Sequence, residues 1–195
     1  MIGCRRIDMY KKYQEEDCCN DKYYETKYKW DDLKVANFSE PKKLRDWIDN
    51  SRIIGKKLSR ISSANHIYRF EHSPKKLFME LDMPIAIEFE DGTLFGFQFC
   101  SASMVDVGFI EGSKIENFET KQQGWDTLSR LVKGAEIMSV TVTEKSYEEI
   151  DDFISGGLPD DQDRYIKDVS FKLSNGAILR LMVWQDFMHL YLVFE

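Results

Sequence analysis

Residues Pro84–Phe99 read PIAIEFEDGTLFGFQF, and this segment is the clearest indication of the fold class in the chain. Its first part is apolar at every second position, so Ile85, Ile87 and Phe89 share one face of an extended strand. Asp91-Gly92 favours the positive φ angles of a tight turn. Phenylalanines again alternate after the turn, at positions 95, 97 and 99. The segment therefore predicts an antiparallel β-hairpin with one apolar face.

The second half of the chain repeats the order of these features. A second hairpin is predicted over residues 169–179, around Asn175-Gly176. Each hairpin follows a short helical pattern, one beginning near Ser39 and Pro41 and carrying Trp47, the other carrying Trp125. A glycine comes after each helix, at Gly55 and Gly134. The repeated order predicts an internal duplication.

These patterns predict an α+β protein that is mainly antiparallel β-sheet with a few short helices. Residues 1–38 are expected to be a polar arm, since they hold five of the nine tyrosines and few aliphatic residues. Such an arm is either a partly ordered extension or a recognition surface that lies over the rest through its aromatic rings. Residues 39–112 and 113–195 are the two β-rich halves, forming one domain or two. The apolar runs 179–184 and 188–194 predict strands that are apolar on both faces and lie in the middle of a covered sheet.

Charge and composition narrow the function classes. The chain has 195 residues, a formal net charge of −7 and no apolar run long enough for a membrane span. Its first residues are charged rather than apolar, so we expect a cytoplasmic protein with reduced cysteines. Residues 41–82 carry ten basic and five acidic side chains, whereas residues 83–195 carry nine basic and twenty acidic ones. The acidic balance argues against binding of nucleic acids or anionic membranes, and the uneven distribution of charge favours binding of a protein.

Motifs for catalysis are missing from the sequence. It has no G-x-S-x-G elbow, phosphate-binding loop or H-E-x-x-H pair, and we expect no cofactor. A zinc site from Cys4, Cys18 and Cys19 with His66 or His72 is a minor alternative, because no C-x-x-C pair supports it. His189 lies in an apolar run and is interpreted as a structural histidine. The alternative function is an unfamiliar enzyme with its site near Cys100, His189 or the acidic segment 148–163.

That acidic segment is the predicted partner-binding site. Its spacing does not match a calcium-binding loop, so its charges are either solvated surface or a patch that steers a basic partner. Nearby aromatic side chains would supply affinity. The predicted site comprises Tyr147, Glu148, Glu149, Asp151, Asp152, Phe153, Asp160, Asp161, Asp163 and Tyr165.

The Trp47 helix, the run Ile54-Gly55-Lys56-Lys57-Leu58 and the hairpin from Pro84 resemble immunity proteins of bacterial contact-dependent and polymorphic toxin systems. The resemblance lies in the general arrangement of these features and includes no diagnostic motif. It covers residues 44–99 and 125–194, and no functional residue can be assigned from it. It implies a non-enzymatic protein that binds one toxin domain and blocks its active site. The acidic segment would then contact a basic surface of that toxin domain. A further alternative is a structural or regulatory module that self-associates through a sheet edge.

Overall fold

A computed structural model of the protein describes residues 33–63, 67–81, 85–101, 104–110, 123–146, 164–184 and 187–194. These residues form a mainly antiparallel α+β fold, as the sequence predicts. Their elements, in chain order, are β1 (Leu33–Phe38), α1 (Pro41–Asn50), β2 (Leu58–Ser63), β3 (Ile67–Ser73), β4 (Lys76–Leu81), β5 (Ile85–Phe89), β6 (Leu94–Ser101), β7 (Met104–Ile110), α2 (Gln123–Val132), β8 (Ile137–Ser146), β9 (Arg164–Leu173), β10 (Ala177–Trp184) and β11 (Phe187–Phe194).

The strands form two sheets that pack face to face. The five-stranded sheet has the order β1-β7-β6-β5-β2, and the six-stranded sheet has the order β3-β4-β11-β10-β9-β8. Alternate residues of each strand point into one shared core. The rings of Phe97 on β6 and Phe171 on β9 meet across this core with centroids 6.5 Å apart. The core therefore lies between the sheets, and each sheet has a second face that points away from it.

The two predicted hairpins form, with a different turn from the expected one. Between β5 and β6, the Phe89 N–H donates to the Thr93 carbonyl at 2.9 Å, and the Gly92 N–H donates to the Phe89 carbonyl at 3.0 Å. Gly92 alone has a positive φ, of 80°. Asp91 instead accepts the Thr93 N–H through its carboxylate at 2.9 Å. Thus one left-handed glycine and one side-chain hydrogen bond close the turn.

The helices close the two open sides between the sheets. α1 begins at Pro41, and its N-cap is Glu40 rather than Ser39. Its Trp47 stacks on Phe109 of β7 with ring centroids 5.8 Å apart. α1 packs against β1 and β8, whereas α2 packs against β2. At the start of α2, Gly124 lies so close to β3 that a Cβ there would be 2.6 Å from a methyl group of Ile67.

The described elements contain the same order twice. α1 is followed by β2, β5, β6 and β7 as neighbouring strands, and α2 is followed by β8, β9, β10 and β11. Reciprocal hydrogen bonds join the two units where β2 and β8 begin. Gly55 N–H donates to the Ile137 carbonyl at 2.8 Å, and Gly134 N–H donates to the Leu58 carbonyl at 2.7 Å. Corresponding glycines of the two units thus make corresponding bonds to the other unit.

The sheets do not follow the predicted segment boundaries. β3 and β4 come from segment 39–112, but β4 pairs with β11 in the sheet built by the second half. The last six residues of the predicted arm form β1, which pairs with β7. Local periodicity does not predict the β4–β11 or the β1–β7 pairing, because both depend on contacts between distant parts of the chain.

Candidate functional site

Of the ten predicted partner-binding residues, the structure describes one. Tyr165 lies in β9 and is fully buried, so its ring belongs to the interior and not to the surface. The other nine lie between residues 147 and 163, outside the described residues. Just before them, Glu144 accepts a hydrogen bond from Arg45 of α1 at 2.6 Å. This ion pair fixes the end of β8 against α1.

The structure does not bring Cys100 and His189 together. Cys100 lies in β6 of the five-stranded sheet, and His189 lies in β11 of the six-stranded sheet. The His189 ring points to the face of its sheet that is remote from β6, where it contacts Phe78 and Tyr191. The backbone positions of Cys100 and His189 therefore lie in different sheets.

The candidate zinc ligands are not assembled in the described part of the chain. His72 lies exposed in β3, whereas Cys4, Cys18, Cys19 and His66 are outside the described residues. Within the described ranges, no group of three or more histidine, cysteine, aspartate or glutamate side chains could hold a metal ion.

The six-stranded sheet has an outer face, defined here as the face opposite the core. Leu77, Met79 and Leu81 of β4 are fully buried in the core, so the alternating residues Phe78 and Glu80 point outward. On β11, Leu190 and Leu192 face the core, which turns His189 and Tyr191 outward. The register places Tyr191 opposite Phe78, and His189 opposite Glu80.

Three rings form an aromatic cluster on this face: Phe78, His189 and Tyr191. The Phe78 centroid lies 4.9 Å from that of Tyr191 and 5.2 Å from that of His189, the latter edge to face. Lys76 lies 5.0 Å from the Tyr191 centroid, and Arg69 lies 5.7 Å from the Phe78 centroid. The cation over the partly exposed Tyr191 ring gains about 0.5–1 kcal/mol. Phe78 is only 6% exposed because these neighbours surround it.

His189 is held in its neutral form. Its Nε2 lies 3.5 Å from Oε2 of Glu80, which favours the charged imidazolium. Burial acts in the opposite direction and more strongly, so the pKa of His189 is lowered from its ordinary value. At neutral pH the ring therefore contributes an apolar surface and one hydrogen-bonding edge rather than a positive charge.

Next to the aromatic cluster, the outer face carries a buried carboxylate. Asp168 of β9 is 3% exposed and accepts hydrogen bonds from Thr143 and Ser170, both at 3.1 Å. Nε of Arg180 lies 3.4 Å from the same oxygen. Three side chains thus contact one oxygen of Asp168, and its neighbour Arg180 remains half exposed at the surface.

The outer face places aromatic rings, a histidine and arginines side by side. Aromatic rings and arginines are the side chains most enriched where proteins contact partners, and here they lie beside one another on rigid strands. The strand β11 is thus not apolar on both faces, although its run of apolar residues predicts this, and a second pattern in the sequence explains why. His189 and Tyr191 alternate with leucines within the apolar run of β11, which is the period of a strand with one outward face.

Comparison with known protein families, curated proteins and solved structures finds no match to this chain. Among the described residues, no helix has the length and apolar character needed to cross a membrane.

Proposed function

We propose that this chain is a cytoplasmic, non-enzymatic protein-binding protein of the immunity type, and that its partner is a toxin domain. The observation that supports this proposal best is the aromatic cluster on the outer face, with Lys76 and Arg69 over its rings. No residue assignment is taken from immunity proteins, since the resemblance to them carries no motif.

The energetics of protein association favour this face as the anchor. Tyr191 is partly exposed and rests on Phe78, so its ring is already ordered before a partner arrives. An ordered tyrosine offers a large contact area at a small entropic cost. The charged side chains of Arg69 and Lys76 surround the rings and would form the polar rim of a contact.

The acidic segment 148–163 is proposed as a second, steering contact. The second half of the chain has an excess of acidic side chains, and attraction of a basic toxin domain would raise the association rate. The aromatic cluster would then determine how slowly the complex dissociates.

We also propose that the chain arose by internal duplication. The recurring order of one helix and four neighbouring strands supports this origin, as do the reciprocal bonds of Gly55 and Gly134. The β3–β4 hairpin is then an insertion in the first unit that extends the sheet of the second unit.

Binding measurements with the product of the neighbouring gene test the proposed function. Tyr191→Ala is expected to weaken the complex at least about tenfold, mainly through faster dissociation. Tyr191→Phe keeps the ring and should retain most of the affinity. Met138→Ala is the matched control, because Met138 is 52% exposed but lies on β8, away from the aromatic cluster. Unchanged binding by a folded Tyr191→Ala variant would remove the outer face from the proposal.

Charge reversal of Asp160, Asp161 and Asp163 to lysine tests the steering contact separately. We expect slower association at low salt and a smaller difference at high salt, because mobile ions screen exposed charges. Equal association rates at low salt would exclude the acidic segment from the binding site.

A further inference from the structure

The sheet edges of this fold differ in how their backbone groups are occupied. On β2, the Ser129 hydroxyl of α2 accepts from the Ile61 N–H at 3.3 Å and donates to the Ile61 carbonyl at 3.0 Å. On β8, the Arg45 guanidinium of α1 donates to the Val142 carbonyl at 3.3 Å. In each case a helix side chain bonds to edge groups that a new strand would otherwise use.

The β3 edge is built differently. β3 is the outermost strand of the six-stranded sheet, and its residues Glu71, His72 and Ser73 are exposed. A two-residue turn joins it to β4, with Ser73 opposite Lys76 as the closing pair. Because hydrogen-bonded and non-hydrogen-bonded pairs alternate from that closing pair, Phe70 and His72 direct their N–H and C=O groups away from β4. In the described part of the chain, no side chain bonds to these backbone groups.

The sequence of β3 is complementary to itself in an antiparallel arrangement. Arg69 and Glu71 flank Phe70, and their side chains form an ion pair on the outer face, with Nε of Arg69 2.7 Å from Oε1 of Glu71. If two β3 strands pair antiparallel with Phe70 at the centre, each Arg69 comes to lie opposite Glu71 of the other strand. Opposite charges at directly facing positions stabilise such a pair, and like charges destabilise it.

We propose that β3 pairs with β3 of a second copy of this chain, giving a two-fold symmetric dimer with one continuous sheet. In this register the outward N–H and C=O groups of Phe70 bond to those of Phe70 in the second copy, and His72 lies opposite Tyr68 of the second copy. Arg69 and Glu71 of both copies form a four-charge cluster that sets the register. The arrangement is closed, since a two-fold axis uses the same edge on both copies and leaves no β3 free for a third.

The dimer would unite the outer faces of two copies. Arg69 belongs both to the β3 edge and to the surroundings of Phe78, so the two aromatic clusters would come to lie on one surface. The proposal does not depend on the proposed toxin partner, because self-association of the pure chain is measured with no partner present.

Charge reversal within β3 tests the register. Sedimentation of the full chain over about 1–500 µM should show a monomer–dimer equilibrium. Arg69→Glu places four carboxylates in the charge cluster and is expected to weaken dimerisation about tenfold or more. The double variant Arg69→Glu/Glu71→Arg restores opposite charges at facing positions, so it should recover most of the association. Lys133→Glu, an exposed charge at the end of α2, is the control and should leave the dimer intact.

A backbone variant tests the edge itself. His72→Pro removes an N–H that points away from β4, so the β3–β4 hairpin should survive while the dimer is lost; His72→Ala should keep the dimer. Circular dichroism of each variant reports whether the fold is retained. A folded chain that is monomeric throughout the concentration range would overturn the proposal. So would a dimer that tolerates both Arg69→Glu and His72→Pro, or a β3 edge that binds a foreign strand while the chain itself stays monomeric.

Discussion

Replacement of Trp125 by phenylalanine sets two opposing effects of similar size against each other. Trp125 lies on the buried stripe of α2 with Leu128 and Val132, and it is 1% exposed. Its indole nitrogen is buried without a hydrogen-bond partner among the described residues. Phenylalanine would leave a gap beside the core but would also remove this unpaired N–H group.

The magnitudes nearly cancel. The lost part of the indole corresponds to roughly two methylene groups, at about 0.8 kcal/mol each. A residual cavity of roughly 40 Å³ adds about 1 kcal/mol, so the apolar loss is about 2.5 kcal/mol. Relief of a buried, unpaired donor returns about 1–3 kcal/mol. We therefore expect Trp125→Phe to lower the free energy of unfolding by only about 0.5 kcal/mol, whereas Trp125→Ala should lower it by about 3–5 kcal/mol.

Urea denaturation followed by circular dichroism measures both variants. In thermal unfolding of a chain of this size, each kcal/mol of lost stability should lower the Tm by about 2–4 °C. Trp47→Phe is the comparison, because the Trp47 ring is half-buried and stacks on Phe109, so the change loses ring contacts without relieving a buried N–H. If Trp125→Phe alone costs about 3 kcal/mol or more, the indole N–H has a partner in the folded protein and the reasoning is refuted.

Three further predictions concern hydrogen bonds and pH. Ser129→Ala removes both hydrogen bonds to Ile61 and should lower the free energy of unfolding by about 1–2 kcal/mol in urea titrations. A loss below about 0.3 kcal/mol would mean that these bonds do not stabilise the β2 edge. The Lys56 hydrogen bond and Thr93 lower the pKa of Asp91 to about 2, so the stability that Asp91 contributes is present above its ordinary pKa and is lost as the pH falls towards 2. Asp91→Asn should therefore destabilise the protein near neutral pH but not at the acid end, and an equal effect at both pH values would contradict this. Burial lowers the pKa of His189, so the unfolded chain takes up the proton more readily, and stability should decrease as the pH falls below about 6.5. His189→Gln should reduce that decrease in urea midpoints, and an unchanged pH dependence would assign it to other groups.

Local patterns predicted the elements of the core correctly because their physical causes are local. The alternation of Ile85, Ile87 and Phe89 places three side chains on one face whatever the rest of the chain does, and all three are buried. A glycine in each turn supplies the positive φ that other residues resist, which explains the hairpins around Gly92 and Gly176. The helix start was displaced by one residue, from Ser39 to Glu40, since helix ends depend on contacts as well as on capping preference.

The candidate site followed less directly from the sequence. The charges of the acidic segment are contiguous in the sequence, whereas the aromatic cluster combines Phe78 and Tyr191 from positions more than a hundred residues apart. Alternation in β11 predicts that His189 and Tyr191 share a face, but not which strand lies next to it. The pairing of β4 with β11 supplies that information, and it results from packing between the two halves.

By itself the sequence determined the fold class and the two hairpins, because side-chain alternation and turn geometry act over a few residues. Only the tertiary structure decided that β3 and β4 join the sheet of the second half. It also separated Cys100 from His189, assembled the aromatic cluster and left β3 at an edge. These outcomes depend on how large apolar surfaces bury each other across the chain. Burial energy is non-directional, so many partners would satisfy it, and only the complete set of contacts selects one.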